Sequence, residues 1–532
     1  MSQASFRLLD PVARPRSRLR GAWLPWLALV TISIVVGLRL FDLDRLPGEI
    51  YGDIAIVYDY IEDILAGRWP RHFVASFGPL YPYLVIPGVW LTGLTYVGLK
   101  LASVMISLLV LLMIYAFGRE LVGGTFAVLA TFVAGVSSWL LIFSRIGHQI
   151  ILVPLLTTSM LFFALRVMRY GKKRDVVACA VAASLGLYTY AASFVLPPIM
   201  FVTLVCLMWL QQGIRRRHLL IFVATTLLCA IPFVFSVAAD PANFFSGYIG
   251  GKLESTGSSP LVFVDNVVRG LLALHVRGDV VFRSNPTFKP HLDPISGLLF
   301  LVGLIFWLQP ERRRVSPLLL LPLVLLQLPS MLVLSKPIEI PSASRTLGIA
   351  PIAYLLVASG LWWLAQRWRS NLGRGLVLLL CVALLLLNGN SYFRLYADGL
   401  PDHNVPFGRI IATYIDTLPA DTEVLMLGCC WGEWSQPEPK GVRYALKQPR
   451  TLRVLDPTRL SCEYLSRAPR PTVLIWHPFR AVPAPRFASC AHWLRPRLHR
   501  VEPGGPRVFY SSPILPPSPP DHGPGDQSPG AS

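Results

Sequence analysis

The arginines and lysines of this chain fall between its hydrophobic runs, and that placement constrains the fold more than any other feature. Basic clusters occur at Arg14–Arg20, Arg166–Arg174, Arg215–Arg217, Arg312–Arg314 and Arg367–Arg374. Each is separated from the next by an even number of apolar stretches long enough to serve as spans. All of them can therefore face the cytoplasm, as the positive-inside rule requires. The remaining loops then lie together on the opposite face.

The composition agrees with a polytopic membrane protein and excludes a soluble globular one: 532 residues, 53% hydrophobic, 15% charged, with mean hydropathy +0.53. A net charge of +20 could suggest nucleic acid. Much of that charge sits in short loops flanking apolar segments, where it orients helices and contacts anionic lipid, so no nucleic-acid partner is expected. Residues 1–22 read as a basic cytoplasmic N-terminus. The stretch 23–41 is too long for a signal-peptide core and lacks a small-residue cleavage site, so it reads as a retained signal anchor.

Eleven spans are expected, at 23–41, 99–118, 122–143, 150–168, 176–192, 195–212, 219–237, 293–308, 316–334, 346–365 and 375–390, forming a transmembrane domain over 23–390. Residues 79–97 are also apolar, but counting them would put every later basic cluster outside. With three prolines and two glycines, they read as a broken or re-entrant element on the outer side. Two long outer loops follow, 42–98 and 238–292. In the first, Ile54, Val57, Tyr58, Ile61, Ile64 and Leu65 recur at helical spacing with Asp59, Glu62 and Asp63 opposite, an amphipathic helix suited to the interface. Residues 261–274 read as a second one.

From 391 to 512 the pattern is that of a small extracytoplasmic α/β domain: a helix at Phe407–Thr417, then strands at Glu423–Leu427, Thr472–Trp476 and Arg507–Tyr510. The tail, 513–532, is rich in Pro, Gly, Ser and Asp and reads as disordered. Cys179, Cys206, Cys229 and Cys381 sit in apolar runs as packing residues. Cys429, Cys430, Cys462 and Cys490 lie in the outer domain, where a disulfide is expected; Cys462 and Cys490 are candidates, and pairing of either with the vicinal pair stays open.

Asp53 is the first candidate for chemistry. It follows Gly52 directly before the amphipathic helix, which suits an N-cap; such a position also fixes a carboxylate at the membrane surface, able to take a proton from a hydroxyl. Glu49 lies in a Pro-Gly turn and reads as solvated, though it borders the same cavity. Arg145 and His148 end the third span, in Phe-Ser-Arg-Ile-Gly-His-Gln. An outer-side arginine runs against the charge bias, and its fork suits a phosphate. The bland alternative is snorkelling at the interface. Arg345 stands where the tenth span starts, a cation at the unfavourable end of a helix dipole, so it should have an anionic partner: a ligand, or Glu339. The 275–293 loop is dense in polar groups: Arg277, Asp279, Arg283, Lys289 and His291 are cavity candidates, and Asp293 is a cap for the eighth span.

These stretches together resemble the GT-C glycosyltransferases, in particular bacterial relatives of the dolichyl-phosphate-mannose protein mannosyltransferases and the lipid A aminoarabinose transferases. Leu46-Pro47-Gly48-Glu49-Ile50-Tyr51-Gly52-Asp53-Ile54-Ala55 corresponds to that superfamily's acidic first outer loop. Phe143-Ser144-Arg145-Ile146-Gly147, Gly186-Leu187-Tyr188-Thr189-Tyr190 and Arg277-Gly278-Asp279 resemble further family segments. The resemblance covers about residues 20–395. It implies a mainly α GT-C fold and a hexosyl or pentosyl transferase of the bacterial cytoplasmic membrane. It further implies a polyprenyl-phosphate sugar as donor, and a glycan, lipid or protein as acceptor. Asp53 matches the catalytic base; Arg145, Arg345 and His148 would meet the donor phosphate. Family members place a second acid after the first, where it helps hold a divalent metal ion. Ile54 stands there, which leaves metal use open. Two other classes remain: a transporter or flippase for a lipid-linked or anionic solute, and a non-catalytic assembly protein. Against the transporter, charged residues concentrate at span ends and no inverted half is evident. The Ile54 departure keeps the assembly protein in play.

Overall fold

The computed structural model describes residues 24–51, 53–71, 73, 77–242, 244–245, 260–334, 337–367, 371–427, 439–448, 450–456, 459–466, 470–478 and 493–514. The N-terminal arginines, most of the 513–532 tail, Cys429, Cys430 and Cys490 lie outside the described residues. Two compact units divide the chain: Met1–Pro47 with Ile56–Asn404, and Gly48–Ala55 with Val405–Ser532.

The first unit is helical. It begins with α1 (Leu24–Leu40), the Ile56–Leu65 portion of α2 (Asp53–Leu65), α3 (Leu80–Thr92), α4 (Tyr96–Leu121), α5 (Gly124–Val136) and α6 (Ser138–Arg145). Among the described residues, six helices are long and apolar enough to cross a membrane, or seven if α5 and α6 count as one bent span. That corrects the expectation of eleven. The missing spans have separate physical causes. Ser137 is extended and caps α6, its Oγ accepting from Leu140 N, so the 122–143 run bends by 65°. The 176–192 run stops at Ser184, then tightens into a 3-10 turn at Leu185–Tyr188. Pro294–Leu308 has only 15 residues, about 22 Å of helix against a hydrocarbon core of about 30 Å. The 316–334 run is two helices, Ser316–Leu325 and Leu328–Met331. α1 has 17 described residues. Residues 79–97 include the start of α4, at Tyr96, and, before a break at 93–95, one short helix, Leu80–Thr92. It carries Pro87 inside and ends at Gly93, whose φ of 74° suits glycine.

The amphipathic helix forms where the spacing predicts: Ile54, Val57, Tyr58, Ile61 and Ile64 are buried and Asp59, Glu62 and Asp63 partly exposed, but Leu65, at the end of the helix, is exposed rather than buried. Helices Pro294–Leu308 and Ala350–Arg367 approach at glycine contacts. A Cβ on Gly303 would overlap the Leu356 carbonyl, and one on Gly360 the Leu299 carbonyl. Asp293 caps its helix through Ser296 N (3.0 Å). Its other oxygen accepts from Asn388 Nδ2 (2.9 Å), while Asn388 Oδ1 accepts from Ser138 N (2.9 Å). One satisfied polar network thus holds the start of α6.

The second unit is a five-stranded sheet in the order β2-β1-β3-β5-β4: β1 (Glu423–Leu427), β2 (Leu452–Leu455), β3 (Thr472–Trp476), β4 (Arg497–Arg500) and β5 (Arg507–Ile514). β2, β1 and β3 are parallel, while β5 and β4 are antiparallel additions. Side chains alternate as a pleat demands. Val424, Met426, Val473 and Ile475 pack with Phe407, Ile411 and Ile415 of helix Phe407–Asp416. Leu425, Leu427, Leu474 and Trp476 pack on the other face with Leu460 and Leu465. β5 continues through Ile514, so Pro513 and Ile514 belong to the sheet, not to the tail.

Candidate functional site

In the first unit, residues 43–47 are held by buried cations. Arg145, the last residue of α6, is fully buried. Its Nη1 donates to Leu38 O (2.6 Å) and its Nη2 to Leu46 O (3.3 Å), and its guanidinium lies over the rings of Tyr392 and Phe393. Lys100 of α4 donates to Leu43 O (2.8 Å) and Pro47 O (2.5 Å). Arg39, at the end of α1, is buried beside them and donates to Ser107 Oγ and Gly135 O. Arg145 is therefore no snorkelling side chain. It braces the loop backbone, and among the described residues it meets no carboxylate and its buried Nε has no partner. A buried guanidinium in that state favours any anion that reaches it.

His148 caps the turn Gln149–Ile151, with Nδ1 accepting from Ile150 N (3.2 Å) and its ring 5.2 Å from that of Phe77. Phe77 bridges in sheet fashion to Tyr190. Tyr190 and Arg345 interact electrostatically.

Arg345 lies in a second cluster, where the loop before helix Ala350–Arg367 meets the 275–293 loop. Its Nη2 is paired with Glu339 Oε2 at 2.6 Å, the protein partner the sequence offered, and its Nη1 is buried without a partner among the described residues. Burial works against its charge, but Tyr190, Glu339 and Asp279 more than offset this and hold its pKa above the ordinary value. Asp279 is fully buried and links the two loops, its oxygens accepting from Val281 N (2.8 Å) and Ala343 N (2.7 Å). Burial raises its pKa to about 7, although both hydrogen bonds and the charges of Arg345 and Arg283 pull it down. Trp139, at the start of α6, donates to Ala343 O (3.1 Å) and packs against His291 with ring centres 4.5 Å apart, tilted by 33°. The same short helix thus ends in Arg145 and begins in the Asp279 cluster.

His291 is buried, with neither ring nitrogen paired among the described residues, and burial lowers its pKa to about 3, so it is a neutral ring. Lys289 bonds Ser391 Oγ, and burial lowers its pKa. Arg277 is exposed over Phe288; Arg283 is half-buried, and its carbonyl accepts from Tyr396. The first unit therefore gathers Asp279 and Arg345, joins His291 to them through Trp139, and leaves Arg277 outside. Lys100, Arg39 and Trp139 were not singled out from the sequence, and Tyr190 was named only within a family-like stretch. The first two carry the signal that marked Arg145, a lone cation within or at the end of an apolar run.

In the second unit, Glu49 is 3% exposed, which corrects its reading as solvated. Oε2 accepts from Gly408 N (2.5 Å) and Oε1 from Ile50 N (2.9 Å). The cause is tertiary: the turn is covered by helix Phe407–Asp416, and Gly408 is 359 residues away along the chain. Asp53 lies in the first turn of α2, half-buried, with no hydrogen bond or ion pair among the described residues. Of these two carboxylates, one is held by backbone amides and the other is available. Ile54, the residue in place of the second acid, is buried. Among the described residues, no group of three or more His, Cys, Asp or Glu could hold a metal ion. Cys462 is disulfide-bonded.

No protein-family model and no curated protein matches the chain. Solved structures do. ArnT from Cupriavidus metallidurans, bound to undecaprenyl phosphate, aligns at TM-score 0.60 with 14% identity, over 93% of this chain and 99% of that one. The apo form aligns at 0.60 with 13% identity over the same shares. The oligosaccharyltransferase AglB from Archaeoglobus fulgidus aligns at 0.46 with 14% identity over 80% of this chain and 64% of that one, too loosely to bear on the fold. The chain has the fold of ArnT.

Proposed function

We propose that this protein, with its ArnT fold, is a membrane glycosyltransferase. It moves a sugar from a polyprenyl-phosphate donor to the hydroxyl of a glycan, lipid or protein acceptor. The observation that carries the reading is the likeness to ArnT along almost the whole of both chains, in a structure that holds undecaprenyl phosphate. Asp53 takes the proton of the acceptor hydroxyl. The hydroxyl oxygen attacks the anomeric carbon, and the bond to the phosphate oxygen breaks with inversion. The polyprenyl phosphate leaves with the electron pair. Asp53 suits the role because it is a half-buried carboxylate without a hydrogen bond among the described residues, in the first turn of α2.

The leaving phosphate is met by Arg145 and Arg345, each of which keeps one buried guanidinium nitrogen unpaired among the described residues. His148 adds a donor: with Nδ1 accepting from Ile150, the ring proton belongs on Nε2. Asp279 holds the loop that carries Arg345, through Ala343 N. No step is routed through a metal ion. The protein sits in the bacterial cytoplasmic membrane with its N-terminus inside, and its site and C-terminal unit outside.

The test is transfer from a polyprenyl-phosphate sugar by purified protein in lipid nanodiscs. Asp53→Asn is expected to abolish turnover while still binding polyprenyl phosphate, which separates an enzyme from an assembly protein. Near-normal turnover by the variant would refute the assignment.

A further inference from the structure

We infer that Glu49 is a positioning residue for this reaction: its carboxylate clips the acidic segment of the first outer loop onto helix Phe407–Asp416 and so fixes the backbone that carries Asp53. The inference rests on Asp53 as the base.

That helix lacks a local cap. Pro406 occupies the cap position and makes no side-chain cap bond, although the first amides of any helix need acceptors. Glu49 supplies one from far along the chain, through Oε2 to Gly408 N, and its charge faces the positive end of the helix dipole. The fit is made by glycines. A Cβ on Gly408 would stand 2.8 Å from Glu49 Oε1, and one on Gly441 would stand 3.1 Å from the same oxygen. Both are closer than a carbon and a carboxylate oxygen can sit without one moving. Around the clip, Ile50, Tyr51, Ile54 and Ala55 are buried, at 1% to 5% exposure, while Asp53 stays half-exposed. Asp53 lies four steps along the chain from Glu49, a reach of about 14 Å at most. Release of the clip therefore frees the segment from which Asp53 acts. Glu49 itself is no base, since both its oxygens already accept backbone amides.

The experiment uses the full chain in nanodiscs, with amide exchange over residues 49–55 and transfer kinetics separated into kcat and donor KM. Glu49→Ala is expected to speed exchange at 50–55 at least tenfold, and to lower kcat about tenfold with donor KM within twofold. Glu49→Gln keeps an acceptor for Gly408 N and should recover most of both. Gly408→Ala puts a methyl against the carboxylate while adding a better helix former; it should reproduce the Glu49→Ala effects with Glu49 intact. Because a base would change the acid limb of the pH profile of kcat, that limb should keep its midpoint in Glu49→Gln. Unchanged exchange and kcat in both Glu49→Ala and Gly408→Ala would overturn the proposal, as would a moved acid limb. If Glu49→Ala does not fold, Glu49→Gln and Gly408→Ala decide the question. Normal turnover by Asp53→Asn would remove the positioning role, while the exchange data would still report whether the clip exists.

Discussion

Asp279 makes stability depend on pH in a way that one substitution can remove. In the folded protein its pKa is about 7, against 3.8 for an exposed carboxyl, because burial outweighs the bonds from Val281 and Ala343 and the nearby arginines. The native state therefore binds this proton more tightly than the unfolded chain. The contribution is complete below about pH 4, declines as the pH rises to about 7, and is gone above that. The slope is about 1.4 kcal/mol per pH unit, so raising the pH from 5 to 8 costs roughly 3 kcal/mol through this one group. An asparagine at this position could not titrate. Asp279→Asn turns one acceptor into a donor facing an N–H, which costs about 1–3 kcal/mol at every pH. The variant should thus be clearly less stable than wild type at pH 5, and about equal to it or better at pH 8. Thermal unfolding in nanodiscs from pH 5 to 8, with exchange at the Ala343 amide as the local probe, reads both. Parallel pH profiles for the two proteins would refute the reasoning.

Three further changes probe the supports of the first unit. Asn388→Ala removes the link between Ser138 N and Asp293; leaving buried partners unpaired should cost about 2–4 kcal/mol and lower the midpoint of thermal unfolding. Gly303→Ala puts a methyl into the Leu356 carbonyl and should cost about 1–3 kcal/mol or more, read as lost folded yield or a lowered midpoint. Trp139→Phe keeps a ring against His291 but leaves Ala343 O without its indole donor; a loss of about 1 kcal/mol is expected, with faster exchange in residues 342–346.

Much of this architecture was legible in the sequence, and what was not has identifiable causes. β1 and β3 are central, buried on both faces, and so written as continuous apolar runs. β2 and β4 are edge strands whose arginines face solvent, and Leu452–Leu455 and Arg497–Arg500 carry no such signal. The helical content of the apolar stretches was readable, but the number of crossings was not. At the bend, Ser138 N donates to Asn388 Oδ1, 250 residues away, and no hydropathy window records such a contact. Local electrostatics gave Asp293 as a cap and Glu339 as the partner of Arg345, both within a few residues. Glu49 was misread because its environment comes from Gly408 and Gly441, and an acid in a Pro-Gly turn looks solvated until the chain folds over it. Arg145 was marked as a phosphate ligand by its sidedness. Two of its three nitrogens hold carbonyls instead, which leaves one for a ligand.

The central claim concerns what leaves and what is formed. Wild-type protein in nanodiscs, given a polyprenyl-phosphate sugar and an acceptor hydroxyl, should release free polyprenyl phosphate and a glycoside of opposite anomeric configuration, in equal amounts, and Asp53→Asn should produce neither. Retained configuration, or release that persists in the Asp53 variant, would contradict the account.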